Sequence, residues 1–419
     1  MFNNIKIGKK KLVLIYIFFY PVFDMIFTLV ENAGGSFPVS PNQLIRGIGM
    51  IGFFIIIKSM KNWVKVICII IWSICGLFVQ IKYFYSTSFF TDLSFTLKFI
   101  QNFVFYYAFI QLFKDKVVQF EEVIKYLIWS SYIAIFSILL SYLGIGAASY
   151  AGSSRFGVKG LFTIQSTITA YLLLILPLYY IRFKRNFTTQ MIVCIIALFS
   201  IGSKTGVFGT ILEIIFITFY DFKYGEKSNN RKIKYMTLGL MSVCVVPSLL
   251  IRYISYLFNL YTSNSYYYNL SAFLLSNRND QIIAAKNGTE MIMDKSKQIF
   301  GEIFGYGYTS MSKIMSHYYS YEAIERDFYG IYYYFGIVSS ILLMVLLGVI
   351  VLRLLKLNFR YKFKNIYGYV SFIIVGVGII YGWLGGHIFY EAMNQLPFYI
   401  IASYSYIEYK QICSKNKGK

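Results

Sequence analysis

The feature that most constrains this chain is a series of apolar stretches, each about 20 residues long, separated by short connections that carry most of its charge. A helix rises about 1.5 Å per residue, so such a stretch covers the roughly 30 Å hydrocarbon core of a bilayer. Twelve candidate spans follow: 11–30, 43–58, 66–82, 95–113, 125–146, 161–181, 189–203, 205–221, 236–258, 329–352, 366–385 and 393–408. Composition excludes the soluble alternative, because only 14% of residues are charged, against roughly 25% in a soluble domain. The expected fold is therefore an all-α integral membrane protein of about twelve transmembrane helices. The run after Lys9-Lys10-Lys11 continues through Val30 without a small-residue cleavage site, so it reads as a first span rather than a removable signal.

The balance of 40 Lys and Arg against 18 Asp and Glu gives a net charge of +22, which on a soluble chain would point to nucleic acid. Here the cations sit at the chain ends and at alternate connections: Lys6 to Lys11, Lys58/Lys61, Lys114/Lys116, Arg182 to Arg185, Lys223 to Lys234, Arg353 to Lys364 and Lys410 to Lys419. The intervening short loops carry almost none. By the positive-inside rule both termini are cytoplasmic, and the charge reports topology rather than a nucleic-acid partner.

One connection breaks the rhythm. About 70 residues, Tyr256 to Tyr329, separate the ninth and tenth spans on the outer side, and a loop of that length is usually functional. The chain divides into nine N-terminal spans (1–255), a large extracellular loop (256–328), and three spans with a basic cytoplasmic tail (329–419). Within the loop, Asn279 and Asp280 offer caps for one short helix over Gln281 to Ser296.

Cofactor and metal chemistry find little support. The five cysteines form no CxxC pair, and His317 and His387 are the only histidines, too few for a zinc-protease motif. The spacing of His387 and Glu391 places them on one helix face, where ordinary interfacial hydrogen bonding accounts for them. Charges at membrane depth are expensive and need partners. Asp24 and Arg46 can pair with each other, Lys82 and Lys98 can snorkel to the outer interface, and a hydrogen bond from a Tyr or Ser would satisfy Glu213.

Three outward-facing segments are denser in chemistry: Ser153 to Phe162 with Arg155 and Lys159, the turn Gly202-Ser203-Lys204-Thr205-Gly206, and the long loop. The last holds Arg278, then Phe304-Gly305-Tyr306-Gly307-Tyr308, then Glu322, Glu325, Arg326 and Asp327. Arg and Lys beside glycine turns suit a phosphate, a carboxylate can take a proton from a hydroxyl, and tyrosines suit sugar rings. These residue types alone leave a structural or transport role open.

In order and sidedness these segments resemble the integral-membrane polysaccharide polymerases of the O-antigen polymerase and O-antigen ligase superfamily, of the Gram-positive capsule or exopolysaccharide type. The carrying residues are Arg155 with Gly160-Leu161-Phe162, a following span with Pro177, the 202–205 turn, Arg278, Phe304 to Gly307, and Glu325-Arg326-Asp327-Phe328 before Phe335-Gly336-Ile337. Members often have an Asn where this chain has Gln165 and Ser166, and the ligase branch has a His late in the loop that His317 does not match. The resemblance therefore implies a cofactor-free polymerase that joins undecaprenyl-pyrophosphate-linked oligosaccharides by inverting transfer.

In that picture Arg155, Lys159, Lys204, Arg278, Tyr306 and Tyr308 bind pyrophosphate and sugar. Glu325 or Asp327 is the base, and Arg278 also stabilises the leaving pyrophosphate. The implied partners are lipid-linked donor and acceptor, membrane lipid, and companion flippase and chain-length regulator proteins. The competing expectations are a flippase for the same lipid-linked unit and a ligase-like glycan transferase. A membrane acyltransferase would need an early histidine, and none precedes residue 317.

Overall fold

The computed structural model describes residues 2–32, 41–84, 88–149, 157–183, 189–224, 278–319 and 321–417. Fourteen α-helices occur in these residues: α1 (Phe2–Asn32), α2 (Pro41–Ile56), α3 (Met60–Phe84), α4 (Phe89–Lys114), α5 (Phe120–Leu140), α6 (Gln165–Arg182), α7 (Thr189–Ile201) and α8 (Lys204–Tyr224), then α9 (Arg278–Ile292), α10 (Lys295–Phe304), α11 (Tyr308–Tyr319), α12 (Asp327–Arg360), α13 (Ile366–Leu384) and α14 (Ala392–Lys417). One small antiparallel pair, β1 (Ala147–Ala148) and β2 (Val158–Gly160), follows α5. Seven helices, α1, α3, α4, α5, α8, α12 and α13, are long and apolar enough to cross a membrane. Each expected span falls on a helix except 236–258, which lies outside the described residues, as do Tyr261 to Leu275.

The helices start and stop where side chains satisfy their end groups. Ser88 caps α4 through Thr91 N (3.4 Å), and Asn365 caps α13 through Tyr367 N (3.1 Å). At α5 the Gln119 N–H donates to Glu122 Oε2 at 3.2 Å, half of a reciprocal capping box.

Helix α6 is buried on every side from Thr167 to Tyr180, and α4 is buried from Phe99 to Phe113 except for Tyr107. These two helices form the interior. By contrast Ile55, Phe78, Phe222 and Leu352 stand exposed on the periphery. Such a rim would be costly in water and suits lipid tails.

The 278–319 region forms a layer of three helices rather than the single one expected over Gln281–Ser296. The expected helix breaks because Asp294 caps a new one, accepting from Lys297 N at 2.9 Å. Moreover α9 already begins at Arg278, so Asn279 and Asp280 lie inside it. Asp92 of α4 holds the start of α11, accepting from Thr309 N (2.8 Å) and Thr309 Oγ1 (2.6 Å).

The layer is joined to the bundle through a break in α12. Gly336 has φ of 82° inside that helix, which frees the carbonyls of Tyr333 and Tyr334 from helical bonding. Tyr306 N takes the first at 2.8 Å, and Gly307 N (3.2 Å) and Gln80 Nε2 (2.8 Å) take the second. Gly305, φ 82°, lies so close that a Cβ there would meet the Tyr334 carbonyl, while one on Gly336 would meet that of Ile303.

Candidate functional site

At one end of the bundle the start of α9, the 321–326 segment, the start of α12 and the 385–391 connection converge. Asp327, fully buried, organises this meeting point. Its carboxylate accepts three successive main-chain N–H groups, from His387 (2.6 Å), Ile388 (2.7 Å) and Phe389 (2.9 Å). The connection's carbonyls are met as well: Asn394 Nδ2 donates to His387 O (2.5 Å), and Asn102 Nδ2 to Phe389 O (2.8 Å). Buried main-chain groups need such partners, so these residues hold a non-helical loop where sequence reading placed His387 and Glu391 on one helix. Gly386, φ 71°, permits the close approach, since a Cβ there would strike the Glu325 carbonyl.

On this support Arg278 Nε donates to Glu325 Oε2 at 2.7 Å, with the Arg278 side chain 14% exposed. Glu325 N donates to Gln281 Oε1 (3.0 Å), and Tyr390 OH to the Glu325 carbonyl (2.7 Å). Burial alone would raise the Glu325 carboxyl, but the Arg278 guanidinium, with His387 and Gln281 adding to it, holds it below the usual range. Arg326 turns away. Its Nε donates to Trp383 O (2.8 Å), its Nη1 to Asn279 Oδ1 (2.8 Å), and its guanidinium covers Tyr329 at 4.7 Å.

His387 is the residue that sequence reasoning passed over. Its φ is 70°, a left-handed conformation that a non-glycine residue adopts at a cost of roughly 1–3 kcal/mol. Its ring is buried with Nδ1 unpartnered, and it senses the charges of Glu391, Glu325, Arg278 and Lys98. Burial pushes this imidazole below its ordinary value despite the two carboxylates that oppose the shift. Lys98 and Glu391 form an ion pair at 3.4 Å, both largely buried, so Lys98 does not simply snorkel to the surface. Little in the sequence marks this pair, since its members are 293 positions apart.

Of the remaining expected residues, Arg155 lies outside the described residues. Lys159 Nζ donates to the Thr163 carbonyl at 2.7 Å. Lys204 opens α8 behind Ser203, whose Oγ accepts from Gly206 N (3.0 Å). This end of α8 borders the loop, because a Cβ on Gly385 would lie 3.4 Å from Thr205 Cγ2. Tyr306 meets Phe84 edge-on, and Tyr308 stacks on Phe95 with centroids 3.7 Å apart. Elsewhere Asp24 and Arg46 do pair, at 2.5 Å. Among the described residues Glu213 does not find the expected hydroxyl; both its oxygens are buried without a hydrogen-bond partner there. Among the described residues no three His, Cys, Asp or Glu side chains stand together as metal ligands.

The apolar helices define a multi-pass membrane protein, with a charged, buried cluster at one end of its bundle. No protein-family model matches the chain, and no curated protein matches its sequence.

Proposed function

We propose that this protein is a membrane glycosyltransferase that joins undecaprenyl-pyrophosphate-linked oligosaccharides into capsule or exopolysaccharide on the outer face of the cell membrane. In this reading the chain crosses twelve times with both termini cytoplasmic, and the cluster faces outward. The observation that carries it is the Arg278–Glu325 pair, held beside His387 by Asp327. It joins a guanidinium suited to a phosphate with groups able to accept a proton.

A hydroxyl of the acceptor sugar gives its proton to the cluster while its oxygen attacks the anomeric carbon of the donor. The bond from that carbon to the pyrophosphate oxygen breaks with inversion, and the leaving pyrophosphate keeps the electron pair. Arg278, with Lys204 at the start of α8 and with Arg155 as the sequence resemblance implies, balances the charge that develops there. Between the two carboxylates Glu325 fits the base role better, because three amides occupy Asp327. His387, with a buried Nδ1 that has no hydrogen-bond partner among the described residues, is a second group able to take that proton, and Asp327 positions it.

A transport reading rests on Glu213, a carboxyl without partners inside a membrane-crossing helix. One experiment separates the two. Surface glycan and lipid-linked intermediates are compared among wild-type, deletion and Arg278→Ala cells. Single repeat units accumulating on the outer leaflet in both altered strains support polymerisation at this cluster. Units trapped on the cytoplasmic side support the flippase, and unchanged chain length in a well-expressed Arg278→Ala strain removes Arg278 from the chemistry.

A further inference from the structure

A cavity of about 480 Å³ lies beside the cluster, between α1, α2, α4, the 162–167 segment and the start of α14. Its volume is within the range of about 300–1,000 Å³ typical of small-molecule sites. Lys98 and Glu391 belong to its wall and also act on His387, so cavity and cluster adjoin. Much of the wall is apolar, with the rings of Phe27, Phe90 and Phe162, while exposed Leu44, Ile48 and Ile51 sit at its rim on α2.

The polar part of the wall is incompletely satisfied. Arg46 gives one guanidinium N–H to Asp24 but keeps a buried Nε with no acceptor among the described residues, and the buried Thr167 hydroxyl has no partner among them either. The amide of Gln101, 3% exposed, is part of the same wall. Buried polar groups left this way cost free energy unless something meets them.

The charges narrow what that something is. Each cation of the wall is matched by a carboxylate, Arg46 by Asp24 and Lys98 by Glu391, so an anion would face two carboxylates and a cation two basic groups. A bare hydrocarbon chain would leave Arg46 Nε and Thr167 unmet. A neutral ligand carrying several hydroxyls offers both donors and acceptors, and the C–H face of a sugar ring is apolar enough to lie on phenylalanine.

We propose that this cavity seats a neutral sugar residue, delivered from the membrane side along α2. Resting on the polymerase reading, it is the seat of the acceptor sugar, whose hydroxyl then lies toward His387. The sugar-binding claim itself stands on the cavity.

The test uses the full-length protein in a detergent without a sugar head group. Saturation-transfer NMR follows methyl glycosides of glucose, galactose, rhamnose and N-acetylglucosamine, with pyrophosphate and phosphocholine as competitors. Two variants alter the site. Gln101→Leu removes a polar group from the wall, and Gly47→Leu adds bulk at a wall position with open space where its Cβ would go. The expected result is transfer to ring protons of at least one glycoside, with binding about tenfold weaker in each variant. The proposal is overturned if no glycoside receives saturation, if both variants bind like wild type, or if pyrophosphate or phosphocholine displaces the sugar. Polymer chain length in cells reads the other claim separately: sugar binding with no effect of the deletion on glycan would sink the polymerase reading and leave this one intact.

Discussion

Asp327 grips the main-chain N–H of His387 at 2.6 Å, and the residue so held carries a left-handed backbone and a buried ring nitrogen without a partner. A carboxylate that accepts three consecutive amides fixes the path of the loop as well as one atom in it. The strain at His387 is thereby balanced by charge-assisted hydrogen bonds.

Replacing Asp327 by Ala removes both carboxylate oxygens that accept the three amides and leaves buried N–H groups unmet, each worth about 1–3 kcal/mol. The variant should therefore show a thermal midpoint lower by several degrees, and fast amide exchange at residues 387–389. A midpoint equal to wild type would mean that the loop is held by its other contacts.

His387→Gly separates conformation from chemistry. Glycine adopts φ of 70° without a Cβ penalty, so thermal stability should hold or rise by about 1 kcal/mol. Polymer length, in contrast, should collapse. A variant that still makes long chains would return the base role to Glu325.

Lys98 and Glu391 should behave as a coupled pair. Lys98→Met or Glu391→Gln alone leaves one buried charge unpaired, at a cost on the order of 3 kcal/mol. The double variant should recover part of that loss, and a double-mutant cycle on chemical denaturation measures the coupling. Simple additivity would show that the two residues do not sense each other.

Acid should loosen this end of the molecule. Both His387 and Glu325 have folded values below their ordinary ones, so the unfolded chain binds more protons and stability falls as pH drops. The contribution of His387 is complete above its unfolded value near 6.5 and is lost as pH falls through its depressed folded value; that of Glu325 behaves likewise from about 4.5 downward. The His387 part is read by difference: as pH falls from 8 to 5 the thermal midpoint of wild type should drop relative to that of His387→Gln, and a constant difference would show that His387 does not contribute.

Gly336→Ala tests the joint between the 278–319 layer and the bundle. At φ of 82° an added Cβ is strained, and here it would also meet the Ile303 carbonyl. The loss should exceed about 2 kcal/mol, visible as proteolysis between α10 and α11 in folded protein.

Much of the helical frame was legible in the sequence because hydrocarbon imposes long apolar runs, and these survive any arrangement of the helices. Arg278, Glu325 and Asp327 were legible as polar residues beside such runs, and the Asp24–Arg46 pair as neighbours on adjoining spans. What was not legible depends on contact across distance. Lys98 looked like an interfacial cation until the start of α14 supplied Glu391. His387 looked ordinary because its setting is created by Asp327, 60 positions away. The ring contacts of Tyr306 with Phe84 and of Tyr308 with Phe95 were not legible either, since the features that suit a tyrosine to sugar also suit it to packing on a phenylalanine.

The Asp327 anchorage also bears on how the chain is made. Its three amide donors belong to residues 387–389, and Tyr20 of the first helix donates to the carbonyl of Ala392 at 2.8 Å. At a synthesis rate of about 5–20 residues per second, roughly 3–12 s separate the emergence of Asp327 from that of its partners. During that interval the carboxylate waits in a half-built bundle, and the early helices lack the wall that α14 provides. Synthesis of residues 387–392 is thus the event that closes the site, and a ribosome that stalls before residue 387 leaves an unfinished product marked by an unsatisfied acid.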